Sequence, residues 1–306
     1  MTVRHHPVPA RLALLAAAAL SLAALPPAQA KDGSAASIGV APQYDTTHVY
    51  LDSADHYDAF VNAFTATFGG QPSKRITANI MPVDSSTQAQ YVWTPAGTLS
   101  TFAFQTAIPY GFGAERNGYL VSDMDRALKQ ARAAGAEVVV DKFKDPIGYD
   151  AVVRWPGGVN MQFYWHFTAP DYGKLDTVPD NRIYVSPDRA DAFVRSFLKF
   201  SGGKVVQDEK KANAGEIGRP GETYRRIRLE SVFGKMQVMV TDGHLPLPFG
   251  HEMTGYEVKS LAETLDKAKA NGATVLSAPY DAGDRDTAIV QFPGGYIAEI
   301  HDVKAH

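Results

Sequence analysis

Pro156-Gly157-Gly158-Val159-Asn160-Met161-Gln162-Phe163-Tyr164-Trp165-His166 and Pro293-Gly294-Gly295-Tyr296-Ile297-Ala298-Glu299-Ile300-His301-Asp302-Val303 close two copies of one pattern. The copies run from Phe112 to His166 and from Phe249 to Val303 without a gap. Their offset is a constant 137 (293 − 156), and 17 of the 55 aligned positions are identical. Gly118-Tyr119 recurs as Gly255-Tyr256, and Gly135-Ala136 as Gly272-Ala273. A fixed internal period reveals architecture before any short motif does. It also makes each copy a control for the other. Shared glycines, prolines and apolar residues are structural, whereas polar positions that differ mark divergence of function.

Working outward, each copy reads as strand, helix and three strands. In the first, Gly118–Val121 is a strand and Met124–Ala134 a helix, with Asp123 as N-cap and Gly135 at its end. Strands follow at Glu137–Lys142, Ala151–Trp155 and Asn160–His166. The second copy places its helix at Leu261–Ala270. Upstream of each copy the same order appears again. Thr47–Leu51, a helix to Phe68 ended by Gly69-Gly70, and strands at Ile76–Met81, Ala89–Trp93 and Leu99–Thr106 precede the first. Arg182–Val185, a helix Ala190–Phe200 ended by Gly202-Gly203, and strands Tyr224–Glu230 and Lys235–Thr241 precede the second. The fold class is therefore α+β, with four βαβββ modules in two pairs. One module cannot cover both faces of its sheet. Two side by side form a curved mixed sheet with helices outside and a cup inside, a natural small-molecule site.

The domain organisation expected is a signal peptide over residues 1–30, a flexible leader over 31–45, a first domain over 46–168, a linker over 169–179 and a second domain over 180–306. Arg4 and Arg11 precede an apolar run from Leu12 to Leu25. Pro26-Pro27 breaks that run, and Ala28-Gln29-Ala30 is a cleavage signal. Export to the periplasm or outside follows. No later stretch reads as a membrane span. The chain has no cysteine, so neither a disulfide nor a lipoprotein anchor is available. A net charge of −3 without a basic run argues against a nucleic-acid partner. With both pairs in one chain, each cup can be completed without a partner, and a monomer is expected.

Paired βαβββ modules, the opening Thr47-His48-Val49-Tyr50-Leu51 and the closing Pro293-Gly294-Gly295-Tyr296-Ile297-Ala298-Glu299-Ile300 resemble the vicinal oxygen chelate superfamily. That group includes glyoxalase I, extradiol dioxygenases and bleomycin-binding proteins. The resemblance spans residues 46–303 and implies two glyoxalase-like domains. In metal-using members it implies a divalent ion (Zn, Ni, Fe or Mn) held by a His on a first strand and a Glu late in a last strand. Binding members use no metal. His48 stands at the first-strand position, with Arg182 as its counterpart in the second pair. Glu299 stands at the last-strand position, with Gln162 as its counterpart (162 + 137 = 299). Arg116 and Met253 occupy the remaining His position.

The candidate metal ligands are thus His48, Gln162 and Glu299, and the candidate acid–base groups Glu299, His301 and His48. Tyr50, Arg116, Tyr164, Arg182 and Tyr184 are candidate substrate-binding residues. On strand Thr47–Leu51, alternation sends His48 and Tyr50 to one face and Val49 and Leu51 to the other. Gln162, Tyr164 and His166 likewise share a face. Glu299 and His301 share a face and could bind a metal, with His251 as a loop ligand, or act together in proton transfer. Arg182 opposite Glu299 could instead close that site as an ion pair. Two functions remain open: a glyoxalase-like lyase or isomerase with a divalent metal, and a metal-free protein that binds or sequesters a small molecule in aromatic cups (Tyr50, Tyr164, Trp165, Tyr184, Tyr256).

Overall fold

The computed structural model describes residues 37–40, 47–106, 115–168 and 175–304, with Glu115 and Arg116 as backbone only. The first module comprises β1 (Thr47–Tyr50), α1 (Tyr57–Phe68), β2 (Gln71–Pro72), β3 (Ile76–Ala78), β4 (Thr87–Thr94) and β5 (Gly97–Phe104). The second comprises β6 (Glu115–Leu120), α2 (Met124–Ala134), β7 (Glu137–Lys144), β8 (Gly148–Arg154) and β9 (Asn160–His166). The third comprises β10 (Asp180–Val185), α3 (Pro187–Ser201), β11 (Lys204–Asn213), β12 (Thr223–Ser231) and β13 (Gly234–Val240). The fourth comprises β14 (Met253–Glu257), α4 (Leu261–Ala270), β15 (Thr274–Asp281), β16 (Arg285–Gln291) and β17 (Ile297–Val303). Strand β11 escapes the sequence reading because it is an edge strand exposed on both faces, so it shows no apolar alternation.

Local signals set the helix ends. The Asp123 carboxylate accepts the Arg126 N–H at 2.9 Å, and Ser260 accepts the Glu263 N–H at 3.3 Å, each satisfying an amide that the first turn leaves open. The Pro-Gly-Gly turns before the last strands hold Gly157, Gly158, Gly294 and Gly295 at φ between 83° and 91°, as their composition suggests.

Among the described residues, strands form a nine-stranded sheet, β2-β4-β5-β1-β6-β9-β8-β7 with β3 added on β4, and an eight-stranded sheet, β11-β12-β13-β10-β14-β17-β16-β15. The two orders correspond strand for strand. At the seam of the first sheet His48 lies opposite Arg116; at the seam of the second Arg182 lies opposite Met253. Parallel pairing sets Gly118 beside Gln162 and Gly255 beside Glu299. His48 also pairs with Ser100 and Arg182 with Gln237, again 137 apart (237 − 100). The looser half of the repeat is therefore in register too.

The helices lie outside the cups yet inside the molecule. Helix α1 packs on α4, and α2 on α3. One apolar core joins Phe60, Phe64 and Val49 to Leu265, Phe292 and Ile300; another joins Met124, Leu128 and Phe163 to Phe193, Phe197 and Val238. Full burial of such side chains contributes roughly 1.5–3 kcal/mol each. Part of the leader, read above as flexible, is docked as well. Ile38 is buried in the second of these cores, and its carbonyl accepts the Ser122 N–H at 2.9 Å. Residues 1–30, read above as a signal peptide, the rest of the leader and linker residues 169–174 lie outside the described residues. No described helix is long and apolar enough to cross a membrane.

Candidate ligand site

The β1 alternation is observed. Val49 is in the core, while His48 and Tyr50 point into the first cup. The His48 ring lies 5.5 Å from Tyr164 and 5.8 Å from Phe102, and Tyr50 stacks on Phe102 at 5.4 Å. Together with Ser100 and Gln162 these rings bound a cavity of about 260 Å³. Gly118 makes room for the imidazole: a Cβ there would lie 2.6 Å from His48 Cε1. Gln90 is fixed in the wall, accepting from Arg75 at 3.1 Å and donating to the Ser73 carbonyl at 3.1 Å. Asp145 stands in the β7–β8 turn, where burial pushes its carboxyl above the ordinary range, while hydrogen bonds from backbone N–H groups and the charge of His166 oppose that shift.

The second cup is filled. Arg182, Glu216 and Glu299 have no exposed side-chain surface, and Arg182 Nη1 lies 3.4 Å from a carboxylate oxygen of each acid. Glu216 comes from the turn Ala214–Ile217 and also binds Arg226 at 2.7 Å and the Tyr224 hydroxyl at 2.5 Å. Glu299 accepts from the Thr287 hydroxyl and, at 2.8 Å, from His301 Nδ1. Arg285 donates to Asp180 at 2.9 Å and to His301 Nε2 at 3.1 Å. Burial alone would raise the Glu299 pKa, but His301, Arg182 and Arg285 outweigh it and hold the carboxyl below the usual glutamate range. Burial is likewise outweighed at Asp180 by His301 and Arg285.

Neither donor set fits a divalent cation. At Glu299 the space a metal would take is faced by the Arg182 guanidinium, and both carboxylate oxygens are engaged. In the first cup the family positions offer His48 and the neutral amide of Gln162. Among the described residues no three His, Cys, Asp or Glu side chains are arranged to hold a metal.

Solved structures with this arrangement include a variant of 4-hydroxymandelate synthase from Streptomyces coelicolor, with a TM-score of 0.59 and 11% identity over 86% of this chain and 94% of that one. A 2,3-dioxygenase from Pseudomonas sp. KL28 matches with a TM-score of 0.57 and 14% identity, over 89% of this chain and 95% of that one. The chain has the fold of the vicinal oxygen chelate superfamily. A Mn(II)-bound glyoxalase from Novosphingobium aromaticivorans has the same fold, with a TM-score of 0.53 and 14% identity over 86% of this chain and 82% of that one. At these identities the likeness carries the fold and leaves the chemistry to the site. No protein-family model and no curated protein sequence matches the chain.

Within this vicinal oxygen chelate fold the expected site residues separate. His48, Tyr50, Gln162 and Tyr164 meet in the first cup, whereas Glu299, His301, Arg182 and Tyr184 belong to the second. Of the three candidate metal ligands, His48 and Gln162 lie in the first cup and Glu299 in the second. Arg182 and Glu299 are sealed inside the protein, so neither meets a ligand from solvent. The Arg116 side chain lies outside what is described. His251 is exposed. Tyr256 and Trp165 face the helix side, Tyr256 against Phe64 and Phe68, and leave the cups. Sequence reasoning missed Asp150 and Ser100 in the first cup and Glu216, Arg226 and Arg285 in the second. Asp150 could have been found as a charged residue opening the apolar run Ala151-Val152-Val153. Glu216 sits in a turn whose sequence signals nothing.

Proposed function

We propose that this protein is exported and binds a small oxygen-bearing molecule in the first cup without a metal ion, as the metal-free binding members of this fold do. The observation that carries the reading is the contrast between cups. The first encloses about 260 Å³ between aromatic faces, with His48 and Gln162 aimed into it. The second is packed with ion pairs. Aromatic walls with few convergent polar groups are the usual makeup of a ligand pocket. Export is supported by the positive, apolar and A-x-A segments of residues 1–30.

The test is a ligand screen by thermal shift on protein recovered from the periplasm, with elemental analysis of the same sample. A binder whose affinity falls about tenfold or more in Tyr50→Ala, with no stoichiometric metal, supports the reading. Stoichiometric metal that disappears in His48→Ala would overturn it in favour of a metal-dependent lyase or isomerase.

A further inference from the structure

The first cup opens to solvent past two exposed isoleucines. Three of its polar groups are deep, His48 at 3% exposed, Ser100 at 6% and Asp150 at 7%, while Lys74, Asp145 and His166 line it nearer solvent. Of its aliphatic lining Met81 and Val152 are buried, but Ile76 is 47% and Ile147 42% exposed. Ile76 lies on β3, which extends one edge of the sheet, and Ile147 lies in the β7–β8 turn at the other edge. The sheet curls enough that both line one cavity. Ile80 and Pro146 join the same lining. Asp145-Pro146-Ile147-Gly148 is a turn of the kind polar residues dominate, and its isoleucine is only part covered by the protein. Isolated exposed aliphatics need no explanation, but a pair flanking the mouth of an aromatic cavity extends that cavity. A wholly polar solute bound at the floor would leave this collar in water. A ligand with an apolar chain running out through the mouth would cover it.

We propose that the ligand of the first cup is amphiphilic. Its oxygen-bearing end lies on His48 and Gln162, its ring between Tyr50, Phe102 and Tyr164, and an unbranched apolar chain leaves between Ile76 and Ile147. This rests on the reading of the first cup as the ligand site. Isothermal titration calorimetry with 4-n-alkylbenzyl alcohols, from methyl to hexyl, tests it. Affinity should rise about fourfold per methylene over the first several members, the factor expected for burying one CH₂. The Ile76→Ser/Ile147→Ser double variant changes exposed positions, and circular dichroism checks that it stays folded. It should bind the methyl compound as the parent does and lose the gradient. A methyl compound that binds at the head of a flat series overturns this inference and leaves the ligand site standing. A gradient that survives in the double variant overturns it as well. Failure of every member to bind overturns the ligand reading and this inference with it.

Discussion

The two cups are built on corresponding strands in the same order, yet one encloses a cavity and the other a buried ionic network. At the seam the first carries His48 opposite Arg116 and the second Arg182 opposite Met253; on the last strand the first carries Gln162 and the second Glu299. Among the described residues, three guanidinium groups (Arg182, Arg226, Arg285) and three carboxylates (Asp180, Glu216, Glu299) are buried in the second cup. A charge withdrawn from water needs a partner, and each partner needs another, so one buried arginine recruits a network that fills the space. The matching positions of the first cup carry a histidine and an amide instead, and its buried carboxylate, Asp150, lines the cavity. The comparison ties the buried network of the second cup to Arg182 and Glu299, where the first cup carries His48 and Gln162.

Breaking the network should have the largest effect. Glu299→Ala leaves Arg182 with Glu216, at 3.4 Å, as its carboxylate partner and removes the acceptor of the Thr287 hydroxyl and of His301 Nδ1. A loss of about 3–5 kcal/mol in urea unfolding is expected, the cost of stranding a buried charge. A loss below about 1 kcal/mol would show that water already reaches the second cup. Replacing Gln162, the matching residue of the first cup, should cost little stability.

Acid should weaken the same network more gently. Glu299 and Asp180 both titrate below their ordinary values of 4.5 and 3.8 in the folded protein. The unfolded chain therefore takes up protons first as pH falls through that range, and stability drops with it. Their contribution is complete above about pH 5 and is lost progressively below 4.5 toward the depressed folded values. Denaturant midpoints followed from pH 6 to 3 should fall, and fall less steeply in Glu299→Gln. An acid limb identical in both proteins would exclude this carboxylate as its source.

The paired glycines sharpen the comparison from the backbone side. A Cβ at Gly118 would meet His48 at 2.6 Å, and one at Gly255 would meet Glu299 Oε2 at 2.5 Å. Both copies keep glycine because the neighbouring cup residue lies across it. Gly255→Ala should cost about 1–3 kcal/mol, since a packed ionic cup cannot give way. In Gly118→Ala the imidazole can swing into the cavity, so stability should change less and ligand affinity more. Equal destabilisation of both variants, with ligand binding intact, would mean that His48 has no room to move.

The architecture was legible because the 137-residue period repeats glycines, prolines and apolar positions that backbone geometry requires. Helices α2 and α4 were readable to the residue, since capping signals and Gly135 and Gly272 bracket them. Strand β11 was not, because an edge strand exposed on both faces has no periodicity. The site was half legible. Strand alternation is enough to send His48, Tyr50, Gln162 and Tyr164 into one cup. Nothing local connects Arg182 with Glu216, which is 34 residues away and inserted from a turn, so the sealing of the second cup emerges only in three dimensions. Tyr256 was misplaced because both faces of its strand are buried, one by the cup and one by helices.

Gln162 carries the smallest and most discriminating effect. It holds the position of Glu299 and lines the cavity. Gln162→Ala should leave the urea midpoint within error and weaken an oxygen-bearing ligand by about 0.5–1.5 kcal/mol, the net worth of one hydrogen bond. That is roughly a twofold to tenfold change in Kd. Gln162→Glu is the sharper variant, since it restores the residue of the second cup with His48, not Arg182, at the matching strand position. If the first cup is a neutral ligand site, the new carboxylate should weaken binding of a neutral alcohol more than alanine does, because its charge must be desolvated against aromatic walls. Tighter binding in Gln162→Glu, or the appearance of a bound divalent ion alongside His48, would show that the first cup is one substitution away from a metal site and that the cups differ less than their packing suggests.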